Sequence, residues 1–522
     1  MNIIETPESN FQDGNDIVSG FQEITQTKSG EIAIIFKNRR ITWHELGKTI
    51  NKVANGLIKL GIQKNDRVCI LSKNSVEYVE VFFGALIVGA CAVPLPSMAS
   101  TDALKMMILD SNSKVIFTSK DMKALIDPFI DGIECIISNG KIAFDFEDVG
   151  WCDYTKWMAN SSDQKPDVKI EKNDDFNIIY SSGTTGVPKG ITHTHGVRKV
   201  FGEGLKDIFS VPGMVNIIST PLYSNTTMVT WLSSMRWGTT SIIMEKFDAR
   251  EFLKLCETEK VNVAMLVPVQ YDRILRVADF NSFDLSSMLV KFSTSAPLKA
   301  TMKRQILDRI PGELVEFYGL TEGGVSTMLI ASEHQDKLES VGQPQENTEL
   351  KVIDEEGREL PMGQTGELVG RQPFMMKGYE NRLDATNEML WYDQDGRAFF
   401  RSGDIGRLDE DGFLYLLDRK KDVIISGGLN IYATDLENEL LKHPAVHEAA
   451  VIGIPSEQWG ETPLGLVVLE EDANETPERI LEWVNSRLGK SHRLYRVEFR
   501  DDLPKSSIGK VLKKELRQKY WD

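Results

Sequence analysis

The chain has 522 residues, 41% apolar and 26% charged, with 60 basic against 77 acidic side chains and a net charge of −17. That length exceeds one compact core, so two or more domains are expected, and the composition is that of a globular protein. The acidic balance excludes a general nucleic-acid grip, which needs a basic surface; an anionic ligand must be met by charge gathered locally.

Five cysteines (Cys69, Cys91, Cys135, Cys152, Cys256) are scattered without metal or disulfide spacing, which fits a reducing compartment. Met1-Asn2-Ile3-Ile4-Glu5 lacks the basic and apolar segments of a signal peptide. The longest apolar run, Val81–Val93, is too short to span a bilayer. A cytoplasmic protein with no membrane span is expected.

In chain order, short apolar strands alternate with amphipathic helices. Glu31–Phe36 reads as a strand, and Thr42-Trp43-His44-Glu45 as a capping box opening a helix to Leu60, with Gly61 beyond it. Arg67–Leu71 is a strand, Val79–Val88 a helix, and Val115–Thr118 and Cys135–Ser138 are further strands. Phe176–Tyr180 is a buried strand running into Tyr180–Gly190, eleven residues with three glycines, four Ser/Thr hydroxyls and one lysine. Such a loop offers backbone N–H groups, hydroxyl donors and a mobile cation to a polyphosphate. It is not a Walker A loop, because Gly190 follows Lys189 and Pro188 precedes it. Composition alone leaves it open between a phosphate clamp and a surface turn.

Glu316-Phe317-Tyr318-Gly319-Leu320-Thr321-Glu322-Gly323 follows an apolar run and sits at a strand end, where ligands bind in open α/β sheets. Past residue 340 the texture changes to Leu350–Ile353, Gly366–Val369 and Arg407–Leu417. Asp411-Gly412 there reads as a tight hairpin turn. Thr434-Asp435-Leu436-Glu437 reads as a second capping box, Ala449–Ile454 and Leu464–Leu469 as strands, and Thr476-Pro477 as the start of a helix to Leu488. The expected fold is α/β: a large N-terminal body of layered, mostly parallel sheets (1–418) carrying a small antiparallel β subdomain, then a small α+β C-terminal domain (419–522).

Ser181-Ser182-Gly183-Thr184-Thr185-Gly186-Val187-Pro188-Lys189-Gly190 resembles the phosphate loop of the adenylate-forming superfamily, which includes acyl- and aryl-CoA synthetases, adenylation domains of peptide synthetases and beetle luciferases. The resemblance runs in order from about Gly30 to Lys510. It implies that Tyr318 stacks on adenine, that Glu316, Phe317 and Gly319 belong to the same ATP/AMP-binding segment, and that Ser295-Ala296-Pro297 lines the other face of the adenine and acyl pocket. It further implies that Thr321 contacts the α-phosphate and Glu322 holds Mg²⁺. Asp404, in Arg401-Ser402-Gly403-Asp404, and Arg419 would bind the ribose, although Asp418 stands where the family often has glycine. Lys421 would be the hinge of the C-terminal domain. Ser426, Gly427 and Gly428, with Trp459-Gly460-Glu461, would line the path of CoA. Leu503-Pro504-Lys505-Ser506-Ser507-Ile508-Gly509-Lys510 resembles the segment whose lysine bridges the substrate carboxylate and the α-phosphate.

The resemblance therefore implies an ATP-dependent carboxylate–CoA ligase that uses ATP, Mg²⁺ and coenzyme A. It acts alone or as a homodimer on a small carboxylic acid. Tyr223, Ser224, Asn225 and Gln270 would form the acyl pocket. Ser224 stands where the family frequently has histidine or an aromatic residue, and no aspartate is present to hold an α-amino group. Met228 and Met265 suggest an adaptable apolar pocket, so a medium- or long-chain fatty acid is expected, with an aryl acid second. A carrier-protein thiol as acceptor and a luciferase-type oxygenase share these residues. A binding protein with dead chemistry would lack Glu322 or Lys510.

Overall fold

The computed structural model describes residues 16–181, 188–427, 429–489, 492–506 and 509–521. Two compact units emerge: Met1–Leu338 with Gln345–Glu349 and Arg371–Phe400, and Glu339–Pro344 with Leu350–Gly370 and Arg401–Asp522.

The larger unit holds two mixed sheets. One runs in the order Ser326–Ile330, Glu313–Gly319, Val290–Ser293, Val263–Leu266, Val215–Ile218, Thr240–Ile243, Ile32–Phe36, Arg39–Thr42. Its central pairings are parallel, and Ser326–Ile330 with Glu313–Gly319 and Ile32–Phe36 with Arg39–Thr42 are antiparallel. The other runs Gly378–Tyr379, Lys189–Thr194, Asp175–Ser181, Cys91–Pro94, Arg67–Leu71, Val115–Thr118, Lys141–Ala143, Cys152–Asp153. Interior strands buried on both faces account for the unbroken apolar runs in the sequence.

Between the sheets' helices lies an aromatic core of Phe21, Tyr78, Phe82, Phe83 and Trp231. Helix Val76–Ile87 is buried along its whole length. It lies against helix Trp43–Lys59 so closely that a Cβ on Gly84 would stand 2.5 Å from Val53 Cγ1. Thr42 and Glu45 form the expected capping box of that second helix.

The smaller unit contains two sheets. Strands Glu349–Ile353, Gly366–Arg371, Ala398–Leu408 and Leu414–Arg419 form one. In the other, Leu429–Ile431, Ile424–Ser426, Gly460–Leu469 and Val446–Ser456 are antiparallel, with Arg496–Phe499 parallel to Gly460–Leu469. Helices Ala433–Leu440 and Pro477–Arg487 close its core.

Three local expectations are corrected. Cys135–Ser138 forms turns, and the strand is Lys141–Ala143; the apolar side chains of the turn pack on the core instead of joining a ladder. The turn at Asp411-Gly412 is wider than a two-residue hairpin: Asp409 and Phe413 close it, and Asp409 Oδ1 accepts from Asp411 N and Phe413 N. Thr434–Glu437 is not a capping box. Helix Ala433–Leu440 is capped from a distance by Asp418 Oδ2, which accepts from Ala433 N (2.6 Å) and Thr434 N (3.4 Å). Glu437 instead accepts from Val451 N and pairs with Lys513 at 2.7 Å.

Candidate active site

In the larger unit, Asp175–Ser181 and Lys189–Thr194 pair antiparallel with Ser181 opposite Lys189, so the loop leaves and rejoins the sheet at one point. Ser182, Gly183, Thr184, Thr185 and Gly186 lie outside the described residues. The Lys189 ammonium sits 4.9 Å over the Tyr379 ring. The Tyr379 hydroxyl donates to Glu322 Oε1 (3.0 Å). Burial and then Glu322 push the Tyr379 phenol up, so it remains a donor.

Thr321 and Glu322 project from a turn closed by Gly323 N to Leu320 O. Gly323 has φ 79°, and a Cβ there would meet Phe374 O at 2.5 Å, so only glycine fits. Behind the turn, His193 Nε2 lies 2.7 Å from Thr321 O, and Arg198 Nη2 lies 3.2 Å from His193 Nδ1. Arginine can only donate, so Nδ1 accepts and Nε2 carries the proton and donates to Thr321 O. His193 is thus neutral, in keeping with the burial and the Arg198 charge that hold it well below the usual histidine range.

The strand before the turn divides its residues by face. Phe317 stacks on Phe292, ring centroids 5.4 Å apart, within an apolar cluster. Tyr318 is half-buried and Gly319 exposed. Glu316 corrects the expectation of a nucleotide contact through its side chain. Its carboxylate is 2.5 Å from Lys303 Nζ in a site where the two side chains are 3% and 1% exposed, and it accepts from Leu298 N (3.3 Å). It supports the Ser295-Ala296-Pro297 loop from behind. Ser295 takes the left-handed conformation, φ 77°, and its hydroxyl bonds Thr226 Oγ1, joining that loop to the acyl stretch.

In the acyl stretch, Ser224 caps helix Asn225–Trp237, accepting from Thr226 N (3.3 Å). Tyr223 is buried. Asn225 Oδ1 accepts from Arg198 Nη1 (2.8 Å). Gln270 is turned from the expected role: its Oε1 accepts from Val267 N (3.1 Å) and its Nε2 donates to Ser219 O (3.2 Å), so both ends of the amide brace strand termini.

In the smaller unit, the strand register sets Asp404 opposite Arg419, with Arg419 Nε 2.8 Å from Asp404 Oδ1. Ser402 Oγ accepts from Asp404 N (3.0 Å) and donates to Leu368 O (2.9 Å), which fixes the turn. Lys510 follows Gly509 (φ 78°) on a turn in which Ser506 N donates to Lys510 O (2.8 Å) and Lys510 N to Ser506 Oγ (3.1 Å). Burial, then the Arg419 charge, push the Lys510 ammonium down to about 8, with Asp404, Lys421 and Asp422 also acting on it. Arg517 holds the backbone at Lys421 and Asp422, donating to both carbonyls. Ser426 pairs with Gly460, and Gly427 donates to Trp459 O (2.8 Å); Gly428 lies outside the described residues.

His193, Arg198, Lys303 and Tyr379 belong to none of the motifs legible in the sequence. The signal available was weak: a histidine on a strand leaving a phosphate loop, on a face shared with buried Ile191.

Residues 21–380 match the AMP-binding enzyme family and residues 435–510 its C-terminal domain. The chain is 33% identical over 485 residues to the long-chain-fatty-acid–CoA ligase FadD13 of Mycobacterium tuberculosis, covering 92% of this chain and 93% of that protein. It is 32% identical over 483 residues to a feruloyl-CoA synthase of Amycolatopsis, covering 92% and 94%. The ATP-bound crystal structure of MatB from Rhodopseudomonas palustris superposes with a TM-score of 0.86 at 27% identity, over 98% of this chain and 99% of that one. The chain belongs to the AMP-binding enzyme family, in its acyl-CoA ligase branch, and is an acid–thiol ligase that binds ATP.

Proposed function

We propose that the chain joins a carboxylic acid to CoA in two steps, with Lys510 as the catalytic cation of the first. A carboxylate oxygen attacks the α-phosphorus of ATP, the bond to the bridging oxygen breaks, and pyrophosphate leaves. Two anions must approach each other, and a preorganised ammonium offsets that repulsion and the charge that grows in the transition state. In the second step the CoA thiolate attacks the acyl carbonyl, the anhydride C–O bond breaks, and AMP leaves. The observation that carries this reading is the Lys510 ammonium on its tight turn, under the influence of Arg419 and Asp404.

Asp404 and Arg419 would hold the ribose, and Lys421 would be the pivot exchanging Lys510 for the Ser426–Gly427 segment between steps. Glu322 suits Mg²⁺: its carboxylate is half-exposed, and a hard cation shared with phosphates needs only one or two protein oxygens. When bound, Mg²⁺ would neutralise phosphate charge.

A medium- or long-chain fatty acid suits the apolar wall read from the sequence. An aryl acid is the second reading, supported by the polar Asn225 within that stretch, whose amide oxygen accepts from Arg198 (2.8 Å).

The test is pyrophosphate release over a panel of acids, with and without CoA. Lys510→Ala should abolish adenylation while sparing thioester formation from supplied acyl-adenylate; equal loss of both would refute the assignment. Lys421→Pro should do the reverse. Acid-dependent AMP formation with CoA alone would distinguish CoA from a carrier-protein thiol.

A further inference from the structure

In the smaller unit the chain is anchored on both sides of Lys421. Lys420 N donates to Gly403 O (2.8 Å), which ties the approach to strand Ala398–Leu408. One residue on, Arg517 Nη1 donates to Lys421 O (3.1 Å) and Nη2 to Asp422 O (3.4 Å), and Nη1 pairs with Asp422 Oδ1 (2.9 Å). A peptide unit is planar, so Lys421 O and Asp422 N move as one piece, and Arg517 ties that piece to helix Lys513–Trp521. The freedom left between the anchors lies in the backbone dihedrals of Lys420 and Lys421. Strand Leu414–Arg419 stands on one side of this joint and helix Ala433–Leu440 on the other.

Asp418 reaches across the joint. It lies on the strand, opposite Ile405, and its Oδ1 accepts from Arg419 N (2.7 Å), which sets the direction of the carboxylate. Its Oδ2 accepts from Ala433 N (2.6 Å) and Thr434 N (3.4 Å), the first two residues of the helix. The first N–H groups of a helix have no partner within it, so these two are satisfied from the other side of Lys421. Lys513 pairs with Glu437 of the same helix at 2.7 Å, and its charge acts on Asp418 as well. In the backbone, Asp422 N and Val423 N cross the joint to Arg419 O (2.7 and 3.1 Å). In this same arrangement the charges of Arg419 and Asp404 act on Lys510. A turn of the C-terminal elements about Lys421 leaves Asp418 behind with its strand and carries the helix away from it.

We propose that Asp418 is a latch on the hinge: by capping helix Ala433–Leu440 from the far side of Lys421 it holds the C-terminal elements in the orientation that serves adenylation, and it lets go before CoA attacks. This rests on the reading of Lys421 as the pivot. Asp418 acts through the helix it caps and is a positioning residue. A state in which the cap is made gains over one in which it is broken by about fivefold, the worth of one good N-cap.

Two measurements on the full-length protein test the latch. The first needs no variant. Hydrogen exchange at the amides of Ala433 and Thr434 is followed with ATP and an accepted acid, then with desulfo-CoA added, which lacks the attacking sulfur. Protection before the addition and exchange at least about tenfold faster after it are expected, because the two amides lose their acceptor when the latch opens. Protection that persists with desulfo-CoA overturns the proposal. The second compares half-reactions: exchange of pyrophosphate into ATP against single-turnover thioester formation from enzyme-bound acyl-adenylate. Asp418→Ala should raise the ratio of the second rate to the first about fivefold. Asp418→Asn, which keeps an acceptor oxygen but not the charge, should fall between it and the wild type; it serves where Asp418→Ala does not fold. A cap that is merely structural lowers both rates together, and an unchanged ratio overturns the proposal whatever the exchange shows. If Lys421→Pro still passes the acyl group to CoA, the pivot reading fails. If Lys421→Pro blocks transfer while the Asp418 variants leave the ratio unchanged, this inference alone fails.

Discussion

The pair formed by Lys303 and Glu316 allows a quantitative test of how the nucleotide loop is supported. Their charged atoms are 2.5 Å apart, with side chains 1% and 3% exposed. Lys303→Met keeps the length and removes the charge, leaving a carboxylate among apolar neighbours. Removing one partner of such a pair costs about 3–5 kcal/mol. Burial already raises Glu316, and without Lys303 it must rise further. The folded value then lies above the unfolded one, so the penalty is absent below the unfolded carboxylate range near pH ~4.3. It grows by about 1.4 kcal/mol per pH unit above that and is essentially complete by about pH 8. Urea unfolding at pH 5 and pH 8 should show a modest loss at the first and the full loss at the second. The double variant Lys303→Met with Glu316→Gln should recover most of it at both pH values, because the amide oxygen can still accept from Leu298 N. The KM for ATP should rise in the single variant and recover in the double, since Leu298 follows Ser295-Ala296-Pro297. A pH-independent loss in Lys303→Met, or a double variant as unstable as the sum of the singles, would refute the argument.

Lys510 should impose an alkaline limit on adenylation: as pH rises through about 8 the ammonium loses its proton, and exchange of pyrophosphate into ATP should fall about tenfold per unit beyond it. Lys510→Arg, which stays charged, should lower the plateau but move that limb well beyond pH 9; an unmoved limb would assign it to another group. Asp418→Ala removes the cap of helix Ala433–Leu440 and should cost about 1 kcal/mol, read as a fall of a few degrees in Tm, whereas Asp418→Asn should cost less. Ser295→Gly should relieve the left-handed backbone and prove more stable than Ser295→Ala by about 1 kcal/mol in urea denaturation; equal stabilities would mean the φ of 77° carries no strain.

What could be read in advance depended on how far apart the participating residues stand. Thr42 and Glu45 are three residues apart, and their capping box is present as expected. Thr434 and Glu437 show the same spacing but do not form one, because Asp418, fifteen residues upstream of Ala433, reaches the helix N-terminus first. Spacing reports that a local bond is available; it cannot report a stronger distant competitor. Asp418, which stands where the family often has glycine, is thus the cap itself. Cys135–Ser138 went astray for a related reason: β-branched, apolar residues satisfy a strand pattern and a core-facing turn alike.

The same distinction runs through the site. Thr321, Glu322, Asp404, Arg419 and Lys510 lie in contiguous, ordered stretches, so they could be picked out singly. Their supports could not. Tyr379 meets Glu322 across 57 residues, and Arg198 meets Asn225 across 27. Nothing in a linear pattern marks Arg198 as buried, for an arginine one turn into a helix ordinarily lies in water. Only the fold reveals that, among the described residues, its hydrogen-bond partners are Asn177, Asn225 and His193. An apolar wall accepts many acids with small differences, about 1–3 kcal/mol per methylene, whereas a fixed donor rejects those that leave it unpaired.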